Sequence, residues 1–268
     1  MKALAEKAAR AAVDIIRSSD VRGVRHKGEV DLVTEIDLAC EHAIRELLLA
    51  ETPSVPVVGE ELSGQGELPP TCWIVDPLDG TTNFVHGFPS YCVSVALRLE
   101  GVLEVGCVYD AVRGVCYSAQ RGAGATCDGE PLRVSACASL NHALLASGFP
   151  YDRREHAAFY LSFFQAFMER SQGLRRAGAA ALDLAWVAEG RLDGFWEFGL
   201  QPWDIAAGAL LIREAGGLVT GLDGQDLELS GRRILASNGR IHDAMAQVIA
   251  HALSSGQDRM RDQTGSEA

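Results

Sequence analysis

The sequence WIVDPLDGTTNF occupies residues 73–84 and is the most informative stretch of the chain. Its apolar start predicts a buried strand. The strand would end at Asp76, where Pro77 turns the chain. The turn would bring together Asp76, the backbone carbonyl of Leu78 and Asp79. Three hard oxygen donors on one turn suit Mg²⁺ or Ca²⁺ better than Zn²⁺, so we predict a metal site here.

The residues that follow, Gly80, Thr81 and Thr82, indicate the start of a helix. Backbone N–H groups at a helix N-terminus are a natural phosphate site. A metal site and a phosphate site would therefore lie side by side. The simpler interpretation is a polar turn in which Asp79 caps the helix, but it leaves Asp76 without an explanation.

Three further segments supply carboxylates. Glu60 ends a short strand in GEE, Asp204 begins a helix in PWDIAAG, and Asp37 lies in the first turn of a helix in DLVTEID. Each has a simpler explanation. The acids of GEE can be solvated loop residues, Asp204 can be an N-cap, and Thr34 with Asp37 has the spacing of a capping box.

The charge of the chain limits its partners. Its 268 residues are 47% hydrophobic and 22% charged, with a net charge of −12. This is the composition of a globular protein. Such an acidic chain is not expected to bind nucleic acid strongly, because phosphate contacts need Lys and Arg. It would also repel an anionic substrate unless cations sit in the site.

Seven scattered cysteines exclude the CxxC spacing of zinc and redox sites, and their odd number argues against a complete disulfide framework. They predict reduced thiols in a cytoplasmic protein. The N-terminus is charged too early for a signal peptide. No apolar run approaches the ~18 residues of a membrane span, so no membrane association is expected.

Hydrophobic periodicity divides the chain into two halves. Residues 1–140 predict two helices followed by antiparallel hairpins, with most of the metal ligands. Residues 141–255 alternate strands with helices and carry Asp204; the last helix is expected over 241–253. Residues 256–268 are polar and are predicted to be a disordered tail.

The motifs GEE, DPLDGTTNF and WDIAAGALLIREAGG, in this order and spacing, resemble the inositol monophosphatase family. KGEVDLVTEID and RRAGAAALDLAWVAEGRLDGFWEFGLQPWD are similar to its bacterial branch, and the resemblance covers residues 27–251. It implies an α+β fold, the αβαβα layered sandwich of inositol monophosphatases and fructose-1,6-bisphosphatases. It also implies a Mg²⁺-dependent, lithium-sensitive, usually dimeric phosphatase that acts on a small phosphate ester such as inositol-1-phosphate.

The resemblance also assigns residues. The implied metal ligands are Glu60, Asp76, the Leu78 carbonyl, Asp79 and Asp204. The implied catalytic residues are Thr81 and Asp37, which orient the attacking water, and Glu60. The implied substrate-binding residues are Asp79, Gly80, Thr81, Thr82, Gly178, Ala180, Glu197 and Asp204. Lys27 lies in a loop that approaches the site in this family.

Two or three Mg²⁺ ions would make such a site workable. Five packed carboxylates would repel a phosphate, and bound divalent cations reverse the local field. One ion can lower the pKa of a bound water and aim it in line, while another stabilises the leaving alkoxide. An acidic protein can thereby act on an anionic substrate.

Substrate identity stays open at this point. Ala179 stands where relatives often carry Ser or Thr, whose hydroxyl meets the substrate alcohol, so specificity can be relaxed. Alternatives within the family are phosphatases of histidinol phosphate, fructose-1,6-bisphosphate, adenosine bisphosphate or NADP. The pattern Thr82-Asn83-Phe84 favours inositol monophosphate.

Two other classes of protein offer alternative interpretations of these motifs. A haloacid-dehalogenase-type phosphatase has one residue between its two aspartates, whereas two residues separate Asp76 from Asp79. That scheme also has no place for the GEE and WD motifs. An additional regulatory role through protein interaction is compatible with an intact acidic site.

Overall fold

The structure is a computed structural model that describes residues 1–19, 25–26, 32–33, 35–63 and 66–264. Only the backbone is described at residues 25–26, 32–33 and 255–264. The sequence-based expectations for Lys27 and Thr34 lie outside the described residues, as do residues 265–268.

The described helices are α1 (Lys2–Ser18), α2 (Glu35–Glu51), α3 (Thr81–Val85), α4 (Ala157–Met168), α5 (Ala180–Ala188), α6 (Pro202–Glu214) and α7 (His242–Thr264). The described strands are β1 (Arg25–His26), β2 (Leu32–Val33), β3 (Val57–Gly59), β4 (Cys72–Asp79), β5 (Cys92–Leu99), β6 (Val102–Asp110), β7 (Val115–Gln120), β8 (Gly124–Cys127), β9 (Glu130–Pro131), β10 (Leu144–Ser147), β11 (Gly173–Arg175), β12 (Gly194–Phe198), β13 (Leu218–Thr220) and β14 (Arg233–Ser237). Short 3₁₀ turns occupy Leu140–His142, Tyr151–Arg154 and Leu229–Gly231.

The first large sheet has seven strands in the order β3-β4-β5-β6-β7-β8-β9. Only the β3–β4 pair is parallel, and the other neighbours are antiparallel. Helices α1 and α2 cover one face. Alanines of α1 and the apolar face of α2 pack there against Trp73 and Val75 of β4. The antiparallel hairpins predicted over residues 73–135 are confirmed.

The second large sheet has five strands in the order β11-β10-β12-β14-β13. Its β10 pairs in parallel with β11 and β12, and its other pairs are antiparallel. Helices α4 and α7 cover its outer face. Phe163 and Phe167 of α4 pack there with Trp196 of β12 and Ile249 of α7.

Helices α5 and α6 lie between the two sheets and are buried by both. A helix that is buried nearly all round must be apolar nearly all round, as α6 is. Gly106 on β6 allows the backbone of α6 to come close to the first sheet, since a Cβ there would lie 2.7 Å from the Ala207 carbonyl oxygen. The layers therefore run helix, sheet, helix, sheet, helix. This order confirms the αβαβα sandwich.

Three local expectations need correction. Strand β4 does not end at Asp76 in a sharp turn but continues through Pro77 to Asp79. Helix α6 begins at Pro202, so Asp204 is its third residue and not its N-cap. Helix α7 continues to Thr264 instead of ending at residue 253, although the added sequence is polar.

All seven cysteines are free thiols, in agreement with the expected reduced state. Among the described helices, none combines the length and apolarity that crossing a membrane requires.

Candidate active site

The centre of the site is a β-bulge in β4. Asp76 is paired with Ser94 and Asp79 with Cys92, so β4 has one residue more than β5 between these pairs. Proline has no N–H for the sheet and is therefore tolerated at a bulge. The bulge re-aims the chain, and the Leu78 N–H donates to Asp76 Oδ1 over 3.0 Å. Both aspartates stay buried at the sheet end.

Gly80 connects the bulge to α3. It adopts φ +91°, and a Cβ there would lie 2.8 Å from the Ser90 carbonyl oxygen, so glycine is required. The first residue of α3 is Thr81, whose Oγ1 lies 3.0 Å from Asp37 Oδ1 and 3.0 Å from the Leu78 carbonyl oxygen. The structure thus makes the pair expected from the sequence between Thr81 and Asp37.

Asp204 reaches the same place from the middle layer. Its carboxylate accepts a hydrogen bond of 2.7 Å from the Gln201 N–H, as half of a capping box at the start of α6. The neighbouring Trp203 carbonyl accepts a bond of 3.0 Å from the hydroxyl of Ser94, the residue paired with Asp76. This bond joins the start of α6 to the first sheet.

These side chains line a cavity of about 210 Å³. The sequence-predicted residues that line it are Glu60, Asp76, Leu78, Asp79, Gly80, Thr81, Thr82, Gly178, Ala180, Glu197 and Asp204. Of the described site residues, only Asp37 does not line it; Asp37 is fully buried and contacts Thr81. The two halves of the chain therefore converge on one cavity.

The pKa values of several acids in this cavity are raised, which favours their neutral forms. Burial, and then the charges of neighbouring acids, raises the pKa of Asp76 well above its usual value. Burial raises the pKa of Asp79 to about 7, despite hydrogen bonds that lower it. Burial and then Asp79 likewise raise the pKa of Asp204 to about 7. Buried like charges of this kind mark candidate functional sites.

The start of α5 forms the wall beside Asp79. Asp79 Oδ2 accepts a hydrogen bond of 2.8 Å from the Ala181 N–H, so Asp79 caps α5 and not α3. The N-cap residue of α5 is Ala179, which is 1% exposed. Ala179 also lines the cavity, so a hydroxyl at position 179 would lie both at the helix start and at the cavity wall, and its contact with the substrate alcohol stays a prediction.

Sequence reasoning missed Asp183, which lines the same cavity from α5. It is 1% exposed, and its Oδ1 has no hydrogen-bond partner among the described residues. Burial and then Asp79 raise the pKa of Asp183 well above its usual value, while Arg176 opposes the shift. The overlooked signal was a single acid within the apolar helical run AAALDLAWVA.

Glu197 enters the cavity from β12, as the sequence predicted. Burial and then Asp183 raise the pKa of Glu197 well above its usual value. Its carboxylate fills the space beside Gly148, where a Cβ would lie 2.2 Å from Glu197 Oε1. The cavity thus has a second pair of acids, Asp183 and Glu197, away from the bulge.

The donor set fits a hard divalent cation. Among the described residues, no group of three or more His, Cys, Asp and Glu side chains forms a ready-made metal cluster. The acids instead line the cavity with carboxylate and carbonyl oxygens, the ligands of Mg²⁺ and Ca²⁺. Burial and then neighbouring acids raise the pKa values of Asp76 and Asp204, and a bound cation would favour their charged forms.

A wider cleft of about 1100 Å³ adjoins this cavity and shares Gln201, Trp203 and Arg232 with it. Its acids, Glu67, Asp226 and Glu228, are exposed. Size alone would favour this cleft, but buried acids with raised pKa values identify the smaller cavity as the candidate site.

Comparisons with known proteins identify the family of this chain. The model of the inositol monophosphatase family matches residues 1–256. A Pseudomonas aeruginosa protein called Nus factor SuhB is 45% identical over 255 residues, 92% of this chain and 94% of that protein. An inositol-1-monophosphatase of Synechocystis is 44% identical over 232 residues, covering 86% and 81%. The structure of an inositol monophosphatase from Anabaena superposes with a TM-score of 0.86 at 39% identity, covering 93% and 95%.

Proposed function

This chain belongs to the inositol monophosphatase family, and we propose that it is a Mg²⁺-dependent phosphatase that hydrolyses inositol-1-phosphate or a similar polyol phosphate. One observation carries the proposal. Buried acids whose pKa values are raised share a cavity with the Thr81–Asp37 pair. Such a site needs cations to bind a phosphate. Thr81 and Asp37 can then orient the attacking water.

Thr81 and Asp37 divide the handling of the nucleophile. The Thr81 hydroxyl has one hydrogen and can donate it either to Asp37 or to the Leu78 carbonyl. Donation to Asp37 frees the carbonyl for a metal ion and leaves the lone pairs of Thr81 to accept from a water. Asp37, buried behind Thr81, fixes the direction of that hydroxyl. It can accept the hydroxyl proton of Thr81 when Thr81 takes a proton from the attacking water.

Glu60, Asp76, the Leu78 carbonyl, Asp79 and Asp204 would hold two or three Mg²⁺ ions. When bound, the ions neutralise the phosphate and the leaving oxygen and favour the hydroxide form of a water. Gly80, Thr81 and Thr82 line the same cavity, and the backbone N–H groups of Gly80 and Thr81 and the hydroxyl of Thr82 would orient the phosphate oxygens.

The start of α5, beside Asp79, and Glu197 of β12 would receive the alcohol. Gly178 and Ala180 present backbone there, and Glu197 presents a carboxyl group that can accept from a hydroxyl. Asn83 links α3 to the segment before α5, because its side-chain amide donates to Ser90 O over 2.7 Å and to Ala177 O over 2.8 Å. A polyol leaving group matches this polar wall better than an apolar one does.

The test is a panel of phosphate esters assayed with Mg²⁺. It includes inositol-1-phosphate, glycerol phosphate, histidinol phosphate, fructose-1,6-bisphosphate, NADP and phenyl phosphate. We expect the highest kcat/KM with inositol-1-phosphate, full loss with chelator, and inhibition by Ca²⁺, whose looser coordination fills the site without productive geometry. Activity that persists in chelator would contradict the metal mechanism. A preference for histidinol phosphate, fructose-1,6-bisphosphate or NADP would keep the reaction and move the substrate.

The same proposal makes the enzyme sensitive to Li⁺ and dimeric. Li⁺ would inhibit by replacing the more weakly held Mg²⁺, and rates in Li⁺ and in Na⁺ at equal ionic strength test this. Exposed apolar side chains on α4, such as Leu161 and Met168, offer a surface for a second copy. Sedimentation of wild type and Leu161→Glu would show whether that surface carries a dimer.

A second, regulatory role has one observation in its favour, the name Nus factor SuhB of a relative at 45% identity. The proposal is that this chain also binds a macromolecular partner, independently of hydrolysis. Affinity capture followed by reconstitution with the purified partner tests it. Binding that survives in a folded but inactive Asp79→Asn protein would support a separate role, and failure of reconstitution would remove it.

A further inference from the structure

A fully buried carboxylate on α2 is bonded to the loop that carries Glu60. Glu41 is 0% exposed. Its Oε2 accepts a hydrogen bond of 2.7 Å from the Glu61 N–H, and its Oε1 accepts one of 3.3 Å from the Leu62 N–H. Both bonds go to the backbone immediately after Glu60, so the exit of the chain from Glu60 is tied to α2.

The same carboxylate also fills the space just before Glu60. A Cβ on Gly59 would lie 2.2 Å from Glu41 Oε1, so only glycine leaves room for the side chain. The Glu60 N–H donates to the Val75 carbonyl of β4 over 3.2 Å. Glu60 is therefore held on three sides, by α2 before and after it and by the neighbouring strand.

Two further side chains hold the carboxylate of Glu41 in place. Arg45, one turn later on α2, donates from Nε to Glu41 Oε1 over 2.9 Å. Arg45 is also hydrogen-bonded to Ser63, whose Oγ accepts from the Gly59 N–H over 2.8 Å. These contacts form a ring through Glu41, Arg45, Ser63 and Gly59. A buried carboxylate needs such partners, because burying an unpaired charge is costly.

We propose that Glu41 is a positioning residue for Mg²⁺ binding, which acts by fixing the backbone of Glu60. The inference rests on the proposed function, because it takes Glu60 as a metal ligand. Groups that hold metal ligands are worth about 10- to 100-fold in metal affinity or activity. If Glu41 served only the stability of the loop, its replacement would leave the affinity for Mg²⁺ unchanged.

The test begins with Glu41→Gln, which keeps the shape of the side chain. Both oxygens of Glu41 accept hydrogen bonds, whereas Gln has one oxygen and an NH₂ group. One backbone N–H must then face another donor, and the loop must shift. We expect the dissociation constant for Mg²⁺ alone, measured by calorimetry, to rise about 10-fold or more. We also expect kcat to recover at saturating Mg²⁺.

Glu46→Gln is the matched control, since Glu46 is an exposed acid on the same helix. It should change neither Mg²⁺ affinity nor the activation profile. A double-mutant cycle with Glu60→Gln then tests the route of the effect. If Glu41 acts through Glu60, the added loss of affinity from Glu41→Gln should largely vanish in the Glu60→Gln background.

The outcomes separate the inference from the proposed function. Wild-type protein that binds no Mg²⁺ and hydrolyses no ester would refute the proposed function. Wild-type protein that binds Mg²⁺ while Glu41→Gln binds it equally well would overturn the inference alone. A lower melting temperature with unchanged affinity, or additive effects in the cycle, would likewise assign Glu41 a structural role.

Discussion

Two buried polar regions of this molecule carry opposite arrangements. Both carboxylate oxygens of Asp193 have partners: Oδ1 accepts from the Ser135 hydroxyl, and Oδ2 accepts from the Leu144 N–H over 2.7 Å. The Asn238 amide also donates to Ser135. In the cavity at the end of β4, by contrast, burial and neighbouring acids raise the pKa values of Asp76 and Asp204.

The difference separates structural from functional polar groups. A satisfied buried network specifies how strands and loops meet, and it contributes to stability. A cluster of buried acids that repel each other lowers stability, and binding of protons or of cations relieves the repulsion. The comparison therefore predicts opposite consequences for the same Asp→Asn change in the two regions. Four substitutions test this comparison, in order of decreasing expected effect.

Asp79→Asn should have the largest effect. It keeps an oxygen that can accept from the Ala181 N–H, so the cap on α5 survives. It removes a charge from a proposed metal ligand, so we expect kcat to fall about 10²-fold or more. Steady-state rates with inositol-1-phosphate and a thermal melt measure both. Near-full activity in a folded variant would reduce Asp79 to a helix cap.

Asp193→Asn is the same chemical change in the satisfied region. One oxygen that accepts a hydrogen bond becomes an NH₂ group, so a buried donor loses its partner at a cost of about 1–3 kcal/mol. We expect a lower melting temperature, by roughly 2–4 °C for each kcal/mol. The value of kcat should stay within about twofold of wild type. If kcat falls as far as in Asp79→Asn, the two regions do not differ as argued.

Asp183→Asn should change the pH dependence of stability. The folded pKa of Asp183 is raised by burial and by Asp79, against the pull of Arg176, with Glu197 also nearby. The folded protein therefore binds a proton that the unfolded chain releases above about pH 4. The free energy of unfolding of wild type therefore falls as pH rises from about 4 towards the raised pKa of the folded protein. The Asn variant has no proton to lose at this position and does not show this decrease.

The measurement is the melting temperature from pH 4 to pH 8 in chelator. The melting temperature of Asp183→Asn minus that of wild type should be close to zero at pH 4 and should grow to a few degrees at neutral pH. The reason is that one pKa unit corresponds to ~1.4 kcal/mol. A pH-independent difference for Asp183→Asn would mean that the carboxyl is satisfied in solution.

Ala179→Ser should have the smallest effect. Because Ala179 is the buried N-cap of α5, a hydroxyl there should cap the helix and stabilise the protein by about 0.5–2 kcal/mol. The kcat/KM values for inositol-1-phosphate and phenyl phosphate should change equally. A few-fold gain confined to inositol-1-phosphate would support the interpretation that the side chain at position 179 contacts the substrate alcohol.

The sequence predicted those features whose signal is local. Helical and alternating periodicity located the layers, and the motifs around Asp76 and Asp204 located the acidic cavity. The pairing of Thr81 with Asp37 followed from resemblance and is seen in the structure. The start of α6 was misplaced although Pro202 favours the first helical position, a signal that the capping assignment of Asp204 obscured.

Features that arise through space were not predictable from periodicity. The bulge in β4 depends on pairing with β5, which is distant in sequence. The capping of α5 by Asp79 joins residues about a hundred positions apart. The bonds of Glu41 to the loop after Glu60 likewise require the fold to be known.

The contact between Gly106 and the Ala207 backbone bears on how this sequence can drift. The contact leaves no space for a methyl group, and α6 carries Asp204 a single turn before it. A Gly106→Ala change would force the helix backbone to shift, which costs packing energy and also displaces a reaction geometry that tolerates little movement. Variation at this position would therefore be limited by packing and also by chemistry at a site that Gly106 never touches.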